Sequence, residues 1–227
     1  MSNLEFRYKL IMFEQFVAFL PSILFIIQGS VVTLKYSLIS VCFGLIIGIF
    51  LAILKVSNRV IFRLFANFYT SIFRGTPLLI QLSLIYFGLP IIGIKLSVFS
   101  AGIIAFSLNS GAYVSEIIRA GINSVDKGQF EGAKALGISN VLIMKDIILP
   151  QAIRTILPSL VNELINLIKE SAIISMIGEM DLTRRAQVVS SETYNFFGPM
   201  LVAAVTYYIL VFIISIFAKL LEKRLAQ

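Results

Sequence analysis

The chain has 227 residues, of which 58% are hydrophobic and 14% are charged, and its formal net charge is +7. Soluble domains are about 45–50% apolar and about 25% charged, so this composition excludes an ordinary soluble protein and indicates an integral membrane protein. The basic residues are scattered between apolar segments instead of forming one patch. We therefore attribute the positive charge to membrane loops and expect no nucleic-acid partner.

Five segments are apolar and long enough to predict helices that span a lipid bilayer, which takes about 20 residues each. They cover residues 31–56, 62–90, 98–119, 152–178 and 199–218. The sequence therefore predicts an all-α integral membrane fold with about five transmembrane helices. An earlier apolar stretch, 16–28, is short and contains Pro21. We interpret residues 1–29 as an N-terminal segment with an interfacial helix, and a sixth span is the alternative.

The distribution of basic residues predicts the orientation, because cytoplasmic loops carry an excess of Lys and Arg. With the 120–150 loop in the cytoplasm, eleven basic residues fall on the cytoplasmic side: Lys55, Arg59, Arg63, Arg119, Lys127, Lys134, Lys145, Arg154, Lys219, Lys223 and Arg224. Five fall on the opposite side: Arg7, Lys9, Lys95, Arg184 and Arg185. We therefore expect the N-terminus outside the cell and the C-terminus in the cytoplasm.

A polar interruption at residues 120–150 separates the third and fourth predicted spans. Residues 126–136 contain few helix breakers, and Gly137 is typical of a residue that ends a helix in the left-handed conformation. Ser139 is a good cap for a second helix, and we expect Pro150 to end that helix. The sequence thus predicts a cytoplasmic pair of short helices.

The order and spacing of seven residues in this interruption resemble the EAA loop of ATP-binding-cassette (ABC) importer permeases. The residues are Glu131, Gly132, Ala133, Gly137, Ile147, Leu149 and Pro150. Gly132 departs from the pattern, which has alanine there. The resemblance implies that the loop docks in a groove of a separate ATPase subunit. Ala133 and Gly137 would then allow close approach, and Glu131 would make a polar contact. An amphipathic loop without a partner is the alternative.

Two further stretches resemble the polar amino-acid branch of these permeases, the histidine, glutamine and arginine type. One is Arg74-Gly75-Thr76-Pro77-Leu78 followed by Gln81, and the other begins at Asn109 and includes Tyr113 and Glu116. The resemblance implies a type I permease domain over residues 30–219, which contains the 120–150 coupling loop, and a cytoplasmic tail over residues 220–227. It also implies a multi-pass protein of the cell (inner) membrane.

This family resemblance implies a transport function driven by other subunits. The permease would move a glutamine-, histidine- or arginine-like substrate across the bilayer by alternating access. Its partners would be ABC ATPase subunits, an extracytoplasmic amino-acid-binding protein and a second permease, identical or paralogous. The chain contains no phosphate-binding G-x-x-x-x-G-K-[ST] motif and no catalytic constellation. We therefore expect no enzyme activity and no bound cofactor, with ATP used by the partner subunit.

Polar residues inside the predicted spans are candidates for the substrate pathway, because such residues usually face the bundle interior. Asn109, Tyr113 and Glu116 fall on one face of the third span. A second polar stripe, in the fourth span, consists of Asn162, Asn166, Lys169 and Glu170, with Glu163 beside it.

The second span contributes three more candidates, Arg74, Thr76 and Gln81, around the helix-breaking Pro77. The alternatives are snorkelling for Arg74, and packing or gating for Lys169 and Glu170.

Two other segments lead to expectations of a different kind. Small residues at four-residue spacing in the first span, among them Gly44 and Gly48, predict close helix packing. The polar stretch 179–197 would lie outside the cell. It could contact a substrate-binding protein, form part of a gate, or be a solvated loop.

Two rival functions remain open from the sequence. An ion-coupled secondary amino-acid transporter would need its own ion site and usually an internal repeat, and the two halves of this chain show none. A non-transporting membrane assembly protein would explain the helices but leave the loop pattern without a role.

Overall fold

A computed structural model of the chain describes the backbone of residues 3–225 and the side chains of residues 20–224. The side chains of Arg7 and Lys9, used in the charge comparison, and residues 226–227 of the predicted tail lie outside this range. Within residues 3–225 the fold is helical and contains no strand. The helices are α1 (Asn3–Val56), α2 (Val60–Gly75), α3 (Leu78–Ser83), α4 (Val98–Asn123), α5 (Lys127–Ala135), α6 (Asn140–Leu142), α7 (Leu149–Glu170), α8 (Leu182–Thr193) and α9 (Phe197–Leu225).

Wider or tighter helical turns extend three of these elements. π-helical and 3-10 turns continue α3 over Leu84–Gly88 and Leu89–Ile92. A π-helical stretch, Ile143–Ile148, joins α6 to α7, and a 3-10 stretch, Ser171–Ile177, follows α7.

Three helical segments of the described chain are long and apolar enough to cross a membrane: Leu20–Val56, Val98–Asn123 and Phe197–Arg224. A bent pair, Val60–Gly75 with Leu78–Ile92, makes a fourth if it is counted as one span. The fourth predicted span, α7, is not in this group, because its amide and charged residues lower its hydropathy. The all-α membrane fold is confirmed, and the membrane orientation of the termini stays a prediction.

Helix α1 is one continuous helix through Pro21, so the segment predicted to lie at the membrane interface runs directly into the first span. The helix packs along α4 over much of its length. A Cβ atom on Gly44 would lie 2.7 Å from Cβ of Ser110, and one on Gly48 would overlap Val114. The small residues of the first span thus permit close approach to α4, which confirms their predicted packing role.

The second predicted span is broken at Thr76 and Pro77. Helix α2 ends at Gly75, Thr76 and Pro77 are extended, and the following helix leaves at a bend of 101°. Proline cannot donate a backbone hydrogen bond and disfavours helical geometry at the residue before it, so a break at this place is expected.

The polar loop 120–150 and the polar stretch 179–197 lie at opposite ends of the helix bundle. α4 leads into α5 and α6, and α7 returns from them toward α8. α8 packs between α1 and α9, where Ile26, Leu182, Ala186, Val189 and Ala203 form a buried cluster. The 179–197 stretch is therefore a docked helix and not a solvated loop.

Candidate functional site

The polar interruption forms a compact knob, defined here as residues 126–148. Asp126 caps α5 by accepting a hydrogen bond from the Gly128 amide, and Ser139 caps α6 by accepting one from the Leu142 amide. Ala133, Ile143 and Ile148 form a buried apolar centre with Phe130, Met144 and other partly buried neighbours. The knob has its own small core, so it is a rigid body and not a flexible loop.

Gly137 ends α5 in the left-handed conformation, with φ at 80°. The amide of Ile138 donates to the Ala133 carbonyl at 3.2 Å, and the amide of Gly137 donates to the Lys134 carbonyl at 3.0 Å. This pair of bonds is a Schellman motif, which glycine forms without the steric cost that a Cβ atom brings. The predicted helix end is confirmed.

Two residues of the predicted loop pattern have roles different from those expected. Ala133 is buried in the knob, so it shapes the knob's own core and is not exposed for close approach by a partner. Pro150 does not end the second helix, because the helical backbone continues through the π-helical turn into α7. Proline has no backbone donor, and it lies at the junction where the π-helical pattern changes to that of α7.

The remaining residues of the pattern lie on the knob surface and at its junction with α7. Glu131, Gly132 and Gly137 are exposed, and Ile147 and Leu149 are half-buried where the knob joins α7. An apolar tip that was not predicted from the sequence lies beside them. Leu136 is 81% exposed, and Val141 and Leu142 are also exposed. The sequence signal for this tip is the presence of leucine and valine next to the helix caps. These residues lie outside the seven-residue pattern.

Three of the predicted pathway residues hold the break between α2 and α3 together. The Gln81 amide donates to the carbonyl oxygens of Phe73 and Thr76 and to Oγ1 of Thr76 at 2.9–3.0 Å. Asn109 of α4 donates to the Phe73 carbonyl at 3.0 Å and to Oε1 of Gln81 at 3.1 Å. Carbonyls freed by the broken helix must be satisfied inside a membrane protein, and these amides satisfy them.

The other three pathway candidates of the second and third spans, Arg74, Tyr113 and Glu116, meet at the knob end of α4. Glu116 accepts hydrogen bonds from Lys55 of α1 and from Arg119 of its own helix, and Arg74 Nη1 lies 3.8 Å from Glu116 Oε2. The Arg74 guanidinium also lies over the Tyr113 ring, 5.4 Å from its centroid. The sequence predicts Lys55 only as one of the cytoplasmic charges, and its role as the buried partner of Glu116 was not predicted.

Most of the polar stripe on α7 is exposed in the single chain. Asn162, Asn166, Lys169 and Glu170 are exposed, whereas Glu163 is 6% exposed. Exposed amide and charged groups on a membrane helix face protein or water instead of lipid, because lipid cannot satisfy them. The stripe therefore marks a surface that another protein or a water-filled route covers.

At the opposite end, a buried polar cluster docks α8. Asp181 accepts hydrogen bonds from the amides of Thr183 and Arg184 and from the hydroxyl of Tyr207 on α9. Burial raises the pKa of Asp181 to about 6, against the opposing effect of these donors. Nearby, Tyr36 of α1 donates to Oε2 of Glu179 at 2.6 Å. Neither contact was predicted, since only the tertiary arrangement brings these helices together.

Comparisons with known proteins are consistent with this architecture. Residues 44–227 match the family model of the binding-protein-dependent transport system inner membrane component. A putative glutamine transport system permease protein of Rickettsia conorii is 71% identical over 94% of this chain and 99% of its own length. The arginine transport system permease protein of Bacillus subtilis is 50% identical over 92% of this chain and 96% of its own length.

Solved structures show the same fold. A crystal structure of an amino acid ABC transporter with histidines superposes with a TM-score of 0.88 at 44% identity, over 93% of this chain and 98% of that one. An inward-facing methionine ABC transporter superposes with a TM-score of 0.78 at 22% identity, over 91% and 99%. The chain belongs to the family of binding-protein-dependent transport system inner membrane components and is a permease subunit of an ABC importer.

Proposed function

We propose that this permease carries a polar amino acid, glutamine in the first place, across the inner membrane. The relatives named for glutamine and arginine transport support this substrate class. The observation that carries the proposal is the exposed polar face of α7, because its amides and charges have no satisfactory place against lipid.

The route runs along this face between two permease subunits. Asn162 and Asn166 offer both amide donors and amide acceptors, which suit a side chain such as that of glutamine. Glu170 supplies a carboxylate that suits an ammonium group. A second permease covers the exposed stripe, and two copies of this chain or one copy and a paralogue fit this requirement.

The knob receives the force from a separate ATPase subunit. Its core keeps it rigid, and its exposed tip of Leu136, Val141 and Leu142 suits an apolar groove. The π-helical stretch Ile143–Ile148 runs into α7 without a flexible loop. A displacement of the knob therefore moves the helix that bears the polar face, and this linkage supports alternating access.

The proposal is tested by measuring transport in proteoliposomes that contain the complete importer, with its ATPase and receptor subunits. We expect ATP-dependent uptake of radiolabelled glutamine, competed by unlabelled glutamine but not by leucine. An Asn166→Leu variant should lower uptake at least tenfold while the complex still assembles, because it removes the amide and keeps a similar volume. A change at an exposed apolar position of α9, Leu201→Val, should leave uptake unchanged. Uptake that persists without ATP, or an unchanged substrate profile in Asn166→Leu, would contradict the proposal.

A further inference from the structure

Three cations surround one carboxylate where α1, α2 and α4 meet. Lys55 is buried and donates to Glu116 and, at 3.0 Å, to Oγ of Ser115. Arg119 donates from Nε and Nη2 to Oε2 of Glu116 at 2.9 and 2.7 Å. Glu116 neutralises only one of the three positive charges. The cluster thus has an excess of two positive charges, and its two arginines are partly exposed.

Arg74 is the least satisfied member of this cluster. Its Nη1 atom is 3.8 Å from Glu116, which is too long for a hydrogen bond. Within the described part of the chain its guanidinium donates no hydrogen bond, and its side chain is 45% exposed. An arginine stacked over Tyr113 with all five donors free has the planar fork that recognises a carboxylate.

The free guanidinium faces a cavity of about 540 Å³. Arg74, Tyr113, Glu116 and Arg119 line one side. Thr155 and Ser159 of α7 line the other. This volume lies within the range of about 300–1,000 Å³ typical of small-molecule sites. The cavity is therefore large enough for an amino acid together with several waters.

The cavity is continuous with the polar face of α7. Thr155, Ser159, Asn162 and Asn166 recur at spacings of four, three and four residues, which places them on one side of the helix. The cavity thus lies at the knob end of the same face that bears the proposed route. A cation cluster that only snorkelled toward lipid headgroups would not share a cavity with this face.

We propose that this cavity is an exit site that binds the α-carboxylate of the transported amino acid through Arg74, on the knob side of the membrane. The site rests on the proposed function but recognises a different part of the substrate. The amides of α7 suit the side chain, whereas Arg74 and the free Nη1 of Arg119 take the carboxylate common to every α-amino acid. The excess positive charge is neutralised when the substrate arrives.

The experiment measures equilibrium binding of radiolabelled glutamine to the nucleotide-free permease–ATPase complex without its receptor. We compare wild type with Arg74→Gln and use Lys95→Gln, an exposed lysine of the α3–α4 connection, as the matched single-charge control. The competitors are 4-aminobutanamide, which is glutamine without its carboxylate, and inorganic phosphate. We expect Arg74→Gln to weaken glutamine binding by tenfold or more and Lys95→Gln to leave it unchanged, since only the first removes charged hydrogen bonds to the carboxylate. We also expect 4-aminobutanamide to compete poorly.

Other outcomes overturn the inference. Equal glutamine binding in wild type and Arg74→Gln would remove Arg74 from the site. Competition by phosphate as strong as that by glutamine would show an adventitious ion only.

A second variant tests the same site without changing Arg74, in case Arg74→Gln does not fold. Ser159→Phe fills the cavity from α7 without altering Arg74, so it should also block glutamine binding, and normal binding would contradict the site. Receptor-dependent uptake by wild type separates the two proposals. Its absence refutes amino-acid transport, whereas uptake together with unchanged binding in both variants refutes only the exit site.

Discussion

Asn109 donates its side-chain amide to Oε1 of Gln81 at 3.1 Å, across the gap between α4 and the broken second span. Gln81 is thereby oriented so that its own amide reaches the carbonyls at the end of α2. Both side chains are almost fully buried, at 4% and 6% exposed. Two side-chain amides thus hold the bend. That of Asn109 orients Gln81, and that of Gln81 binds the carbonyls at the end of α2.

Replacing Gln81 with glutamate should loosen this bend. The carboxylate keeps the shape but cannot donate to the Phe73 and Thr76 carbonyls, so buried acceptors lose their donor at a cost of about 1–3 kcal/mol. We expect a lower Tm of the purified complex in detergent and reduced uptake. The control is Gln151→Glu, because Gln151 is exposed and bonds only within its own helix turn. Equal Tm values for the two variants would contradict a holding role for Gln81.

Two glycines of the knob should respond in opposite ways to alanine. A Cβ atom on Gly132 would meet nothing within 4 Å, so Gly132→Ala should stabilise α5 by about 0.5–1 kcal/mol and preserve transport. Gly137 has φ at 80°, so Gly137→Ala should destabilise the knob by about 1 kcal/mol. Thermal unfolding of the two variants and ATPase co-purification provide the measurement. If Gly137→Ala proved as stable as Gly132→Ala, the left-handed turn would not limit the knob's stability.

The exposed tip of the knob should be required for binding the ATPase. Leu136→Asp places a charge on an apolar surface that is 81% exposed, so the knob's own core remains intact while docking fails. We expect loss of ATPase co-purification and at least a tenfold fall in uptake. Leu136→Met is the matched variant and should retain both, since it preserves an apolar side chain. Retained co-purification in Leu136→Asp would show that the tip does not contact the ATPase.

Asp181 should make stability depend on pH. Its pKa rises from 3.8 to about 6 on folding, so the folded state binds more protons between these values than the unfolded state. The stability that the protonated group contributes is complete below about pH 4 and is lost as pH rises through about 6. The free energy of unfolding should fall by at most about 1.4 kcal/mol per pH unit in this window.

Asp181→Asn tests this dependence, because asparagine retains the capping oxygen of α8 but does not titrate. We expect the Tm of wild type to fall relative to that of Asp181→Asn as pH rises from 4 to 6. Asp126→Asn is the control, since Asp126 caps α5 at the exposed knob. A wild-type Tm that follows Asp181→Asn in parallel across this range would contradict the raised pKa.

Much of the knob follows from the sequence because its contacts are local. Asp126, Ser139 and Gly137 act within a few residues of their own positions, and cap preferences report such contacts directly. The buried position of Ala133 was not predictable in the same way. It depends on how α5 folds back against Ile143 and Ile148, and the local pattern does not specify that packing.

Composition and periodicity by themselves determined the membrane class, the all-α fold and the polar stripe of α7. These properties depend on the apolar content of a segment and on the face of a single helix, both of which are visible in one stretch of chain. The tertiary structure alone decided the partners across helices, such as Lys55 with Glu116 and Tyr36 with Glu179. The physical reason is that such pairs depend on the rotation and axial offset of packed helices, which are set by close contacts such as Gly44 against Ser110.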